Sequence, residues 1–199
     1  MEEIMMEEGY AGVSSRKVAA RAGLKSKLIH YYFRTMDDLF IAAFQRREDA
    51  YYQTFSTALT SSHPLHELWK LGLDAAAGKL VIEYNAAASH RPKLRQIIGR
   101  SARGDRLFVS GALTSIFDRY GIDSDEFPPK VVSLLMAGLA RALATERALN
   151  TDEGHAEALA FAEKMLDRFE PRDIAGKPAS RAHKQKKSGV GLPDIEAPA

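Results

Sequence analysis

Between Ala22 and Phe33 the chain reads AGLKSKLIHYYF, which gathers Lys25, Ser26, Lys27, His30, Tyr31 and Tyr32 into one short stretch. Lysines neutralise phosphates or donate to guanine acceptors. Serine exchanges hydrogen bonds with base or backbone, and tyrosine offers a hydroxyl and an apolar ring edge. Ser15 and Arg16 stand just upstream. From Gly9 to Met36 the charged residues are Arg16, Lys17, Arg21, Lys25, Lys27 and Arg34, with no Asp or Glu among them. Positive charge without countercharge repels itself and is better tolerated where a polyanion faces it. A solvated basic face is the plain alternative for the charges taken alone.

The elements that must position these side chains are short and sharply punctuated. Ser14 or Ser15 can cap a helix running through Ala22, Gly23 supplies the permissive backbone of a tight turn, and a second helix spans about Lys25 to Tyr32. Two short helices joined in this way form a helix-turn-helix, whose second helix enters the major groove. In that frame Val18, Ala19, Ala22, Leu24, Ile29 and Phe33 are the expected interhelical contacts. Lys25, Ser26, Lys27, His30 and Tyr31 face outwards.

The segment EEGYAGVSSRKVAARAGLKSKLIHYYFRTMDDLFIAAF, Glu7 to Phe44, resembles the DNA-binding domain of the tetracycline-repressor (TetR) family of transcriptional regulators. The signals are Gly9-Tyr10, Val13 to Arg16, Ala19, Ala22 to Leu24, Tyr32-Phe33 and the run Asp37 to Leu39. The resemblance implies phosphate or base-edge contacts for Ser15 and Arg16, recognition-helix contacts for Ser26, Lys27, His30 and Tyr31, and a place near the backbone for Tyr32. His30 stands where a tyrosine is commonest, Lys27 where a small residue is common, and Met36 where a lysine usually meets phosphate. Only Met1 to Glu8 precede Gly9, where the family usually has a full first helix. The expectation is therefore that Val18 and Phe33 are partly uncovered, and that the native chain starts upstream or the domain is less stable than its relatives.

Beyond this segment everything up to Phe169 reads as helix. Ala, Leu, Arg, Glu and Lys dominate, and apolar residues recur at three- and four-residue spacing with no sustained strand-type alternation. The expected fold class is all-α. Thr35 with Asp37 and Asp38 opens a long helix to about Ser61. Further helices start at Pro64, near Lys79, at Pro92 and at Pro128, and a last one runs from Thr151 or Asp152 to Phe169. The expected division is a reader at 1–45, a helical effector-binding and dimerisation domain at 46–170, and a disordered basic tail at 171–199, rich in Pro, Gly, Ser and Lys.

The chain has 199 residues and no cysteine, which excludes disulfides and thiolate metal sites. No apolar run approaches the roughly 20 residues needed to span a bilayer, and the acidic start is unlike a signal peptide, so a cytoplasmic protein without membrane contact is expected.

The resemblance also implies a homodimer. Residues 128–150 carry a stripe including Leu135, Leu139 and Ala142, which with Met165 on the last helix suits an intersubunit bundle, although the stripe alone fits an intrachain core equally. By resemblance, Trp69, Leu73, Tyr84, Phe108 and Met136 lie on helices enclosing a small-molecule effector, with His66, Asn85 and Arg103 as polar anchors. No cofactor and no metal site are expected: His63 and His66 have loosely metal-like spacing but flank Pro64 and lack a nearby carboxylate pair. The leading reading is a ligand-responsive repressor of a palindromic operator in double-stranded DNA, not an enzyme. An effector-independent architectural DNA binder and, less favoured, a helical-bundle enzyme acting on a phosphorylated substrate are the alternatives.

Overall fold

The computed structural model describes residues 1–172, and the expected basic tail lies almost wholly outside them. Among the described residues the chain is all-α: α1 (Glu2–Glu8), a 3-10 turn (Tyr10–Gly12), α2 (Ser15–Arg21), α3 (Ser26–Tyr32), α4 (Met36–Leu59), α5 (Pro64–Gly72), α6 (Ala75–Ser89), α7 (Pro92–Tyr120), α8 (Pro129–Ala148) and α9 (His155–Phe169).

Local chemistry sets most of these boundaries. Ser14 Oγ accepts from the Lys17 N–H and caps α2. Thr35 and Asp38 form a reciprocal capping box on α4, and these hydrogen bonds hold the Asp38 carboxyl below the usual carboxylate range. Two expected starts moved. Asp74 caps α6 by accepting from the Ala76 and Ala77 N–H groups, which starts this helix earlier than Lys79. Helix α9 starts at His155 because Gly154 is left-handed and the preceding residues form a turn.

The turn between α2 and α3 is a Schellman motif, with Leu24 N–H donating to Ala19 C=O (2.8 Å) and Gly23 N–H to Ala20 C=O (3.2 Å). Gly23 takes φ +67°, where a side chain's Cβ meets the backbone. Gly23→Val is expected to lower stability by about 1–2 kcal/mol, read as a drop in the urea midpoint at unchanged m-value.

Two apolar cores result. One joins Ile4, Met5, Val18, Ala19, Ile29 and Phe40 to Leu80, Tyr84 and Leu94, so α6 and the start of α7 share a core with the helix-turn-helix. The other gathers Phe55, Leu65, Leu68, Leu113, Ile116 and Phe117 from α4, α5 and α7. The short α1 does more than its length suggests: Ile4 and Met5 are fully buried and Val18 is buried, contrary to expectation, while Phe33 is half-buried. Ala22 and Leu24, expected to pack between the helices, are exposed, because the left-handed turn carries them over the edge of α2.

Candidate nucleic-acid interface and effector cavity

Helix α3 presents its polar side chains away from the core. Only Ile29 of this helix is buried. Lys25, Lys27 and His30 are exposed, Ser26 is half-buried, and Tyr31 and Tyr32 are 78% and 69% exposed. The two tyrosine rings meet edge to face at 5.2 Å. So large an apolar area left in water is out of keeping with an ordinary surface helix and suits a surface that a partner covers. On α2, Arg16 is exposed, and the half-buried Ser15 shares a 3.1 Å hydrogen bond between its Oγ and His30 Nε2. The start of α2 and the end of α3 are thereby tied side by side, and all eight residues picked out from the sequence sit on these two helices or, for Lys25, at the N-cap of α3.

The charge pattern differs from the expected uncompensated cluster. Helix α1 brings its acids alongside α2: Arg21 pairs with Glu7 at 2.6 Å and Glu3 at 3.2 Å, and Lys17 pairs with Glu8. Arg16, Lys25, Lys27 and Arg34 make no ion pair among the described residues, so four of the six cations remain for a polyanion. The signal was present in the sequence as the acidic spacing of Glu3, Glu7 and Glu8 on a helix immediately before the basic one. Arg16→Ala is expected to lower the salt slope of DNA binding by about 0.9 unit per phosphate lost. Lys27→Ala and Tyr31→Ala should weaken binding at unchanged melting temperature, as measured by filter binding and calorimetry.

A second candidate site lies behind the reader. A cavity of about 380 Å³ opens between α4, α5, α6, α7 and α8. Trp69, Asn85 and Met136 line it, together with Tyr51, Phe55, Leu68, Val109 and Leu113. Trp69 is buried and its indole N–H has no hydrogen-bond partner, an unmet donor on the cavity wall. Sequence reasoning missed the charged lining: Arg47, Glu48, Asp105, Arg106 and Arg141. Glu48 accepts from Ser101 and Asp105 from the Tyr52 hydroxyl, which leaves the acids satisfied. Burial pushes the Asp105 carboxyl upwards and the Tyr51 phenol up to about 12. Arg47 is spent on the Ala77 carbonyl at 3.0 Å.

The other expected effector residues lie elsewhere. Tyr84 is buried in the first core, edge-on to Phe44 and donating to Glu2 at 3.0 Å. His66 is held by Glu170 and Asp167. Arg103 is exposed, Leu73 is a half-buried C-cap, and Phe108 packs outside the cavity lining on Tyr52 and Phe55. Each sits on, or for Leu73 at the end of, a helix that borders the cavity, but away from its lining.

Arg91, the N-cap of α7, pairs with Asp37 at 2.5 Å while lying 4.5 Å over the Phe40 ring. Helix α6 links α1 and the 3-10 turn to the cavity: Tyr10 N–H donates to Glu83 at 2.6 Å and Lys79 Nζ to the Met6 carbonyl at 2.6 Å. Val81 and Asn85 of the same helix face the cavity. At its other side α6 meets α8 closely: a Cβ on Gly78 would come within 2.7 Å of Ala144 Cβ, so only glycine allows this approach.

The expected dimer residues occupy one side of α8 and α9. Leu135 and Ala142 are exposed, and Leu139 and Met165 are half-buried, whereas Leu143 of the same stripe turns into the intrachain core. Val131, Leu134 and Phe161 add to the exposed apolar area. No helix of the described residues is long and apolar enough to cross a membrane.

The family model of the bacterial regulatory proteins, tetR family, matches residues 2–43. A transcriptional regulator from Rhodococcus sp. Rha1 shares the fold with a TM-score of 0.66 at 21% identity, over 84% of this chain and 91% of that one. A TetR-family transcriptional regulator from Rhodococcus sp. gives 0.66 at 18% identity, over 83% and 93%. The transcriptional regulator FadR from Bacillus subtilis, in complex with stearoyl-CoA, gives 0.58 at 19% identity, over 84% and 92%. Among curated proteins no sequence matches. The N-terminal helices thus match the family model of the tetR-family bacterial regulatory proteins, and the chain shares its fold with these transcriptional regulators.

Proposed function

We propose that this regulator is a homodimeric repressor that holds a palindromic operator through α2 and α3 and is released when a small molecule fills the cavity behind them. Residues 1–45 act as the reader and 46–170 as the sensor and dimerisation domain. Ser15 and Arg16 contact the phosphates or a base edge, Ser26, Lys27, His30 and Tyr31 the groove, and Lys25 and Tyr32 the flanking backbone. The observation that carries this reading is the outward polar and aromatic set on a helix that buries only Ile29.

The effector is an apolar molecule with an acidic or acceptor group. Aromatic and aliphatic side chains supply most of the lining, while Arg106, Arg141 and the partnerless Trp69 N–H supply the donors. The stearoyl-CoA held by the FadR neighbour is a ligand of this character. Trp69 is the chain's one tryptophan, so its fluorescence reports occupancy directly.

Helix α6 carries the signal together with α4. A ligand pressing on Val81 and Asn85 moves the helix whose Lys79 and Glu83 hold the reader, and the spacing of the two recognition helices in the dimer changes with it. A 100-fold preference of effector for the released form corresponds to about 2.7 kcal/mol of coupling. The test is selection of bound sequences from random DNA across a salt series, with and without long-chain acyl ligands. Enrichment of a palindrome that acyl ligands release is the expected result. Recovery of DNA with no sequence preference would leave an architectural binder instead.

A further inference from the structure

His63 and His66 have no carboxylate pair near them in the sequence, and the fold supplies one to His66. Helix α9 carries Glu163 and Asp167 four residues apart, on one face, against the start of α5. One ligating atom from each of His66, Glu163 and Asp167 lies within 4.8 Å of the others, and His66 Nε2 already stands 3.0 Å from Asp167 Oδ1. A tetrahedral ion with bonds of about 2.0–2.2 Å separates its ligand atoms by roughly 3.3–3.6 Å, so small side-chain movements close the set.

The imidazole is oriented for this role. The buried Glu170 accepts from His66 Nδ1 at 2.7 Å, and the same carboxylate accepts from the Leu65 and His66 backbone N–H groups and the Tyr120 hydroxyl. This fixes the proton on Nδ1, the arrangement by which a carboxylate orients a metal-bound histidine; Nε2, which donates to Asp167 at 3.0 Å, coordinates once a cation takes the place of its proton. A second imidazole borders the cluster: the His63 ring is 6.2 Å from that of His66, and its buried Nε2 has no hydrogen-bond partner. A cation already occupies the acidic side, since Arg172 donates from Nε to Asp167 at 3.0 Å and from Nη2 to Glu163 at 2.6 Å. The Arg172 side chain is 44% exposed and lies outside both apolar cores, so it can leave without opening them.

We propose that His66, Glu163 and Asp167 form a binding site for a divalent zinc-type cation, which displaces the Arg172 guanidinium and takes water as its fourth ligand. One imidazole and two carboxylates suit Zn²⁺ better than Mg²⁺, which keeps its waters and avoids nitrogen donors. The ion fastens the last turns of α9 to the start of α5, outside the effector cavity and independently of it.

Calorimetric titration of the full chain with ZnCl2 tests the site, alongside the melting temperature with and without the metal. The wild type should bind one Zn²⁺ per chain at this site, unaffected by excess Mg²⁺, and melt higher when loaded. The double variant Glu163→Gln, Asp167→Asn should weaken that binding at least about tenfold and abolish the thermal shift, while Arg172→Ala should tighten it. All three positions are substantially exposed, so the variants fold. No stoichiometric binding up to about 100 µM free Zn²⁺, equal affinity in the double variant, or unchanged or weaker affinity in Arg172→Ala would each show that the cluster is an ion-pair network alone.

Discussion

Leu135→Glu is expected to yield a folded monomer whose affinity for a palindromic operator falls about 100-fold or more, the loss that follows when two linked half-sites are bound singly. Leu135 is 65% exposed in the single chain, so the glutamate costs the protomer little. In a two-fold interface both protomers contribute the same patch, so one substitution places two carboxylates in an apolar contact where neither has a partner. Leu139→Glu should act in the same direction, with an added cost to the protomer because Leu139 is half-buried. Sedimentation velocity at nanomolar concentration checks the assembly and a gel shift the affinity. A variant that stays dimeric would move the interface off the side of α8 that carries Leu135 and Ala142.

Phe40→Ala should give the largest loss of stability, about 3–5 kcal/mol, out of the roughly 5–15 kcal/mol of an ordinary domain. The ring is fully buried in the core that joins α1, α2, α4, α6 and α7, and the Arg91 guanidinium lies over it. Truncation leaves a cavity and removes the platform on which the Asp37–Arg91 pair is set. Urea unfolding should show the helix-turn-helix and the helices behind it destabilised in one transition, because Leu80, Tyr84 and Leu94 belong to the same core. Tyr31→Ala, on a residue 78% exposed, is the matching control and should change stability by less than about 0.5 kcal/mol. Appearance of a separate early transition in Phe40→Ala, with the remainder unfolding as in the wild type, would show that the two parts unfold independently.

The reader was legible because its punctuation is local. Ser14, Gly23, and Thr35 with Asp38 each act within four residues, through a cap, a left-handed turn and a capping box. The cavity was legible only in part, because its walls depend on how five helices rotate about their axes. Trp69, Asn85 and Met136 reached it, but Tyr84, one residue from Asn85, turned to the opposite face and joined the reader's core. The Asp74 cap was readable from an aspartate ahead of an alanine run. The placement of His66 against Glu170, more than a hundred residues away, was not, since nothing near either residue in the chain specifies the other.

Under the proposed function the acids of α1 have a kinetic meaning. Glu3, Glu7 and Glu8 occupy Arg21 and Lys17 much as phosphates would. Each cation so engaged removes about 0.9 unit from the logarithmic salt dependence of nonspecific binding. Under the proposed function this shortens every stay on random sequence while leaving Lys25 and Lys27 free for the right one. The protein trades residence for turnover, and a search made of many brief visits loses less time at wrong sites than one made of few long ones.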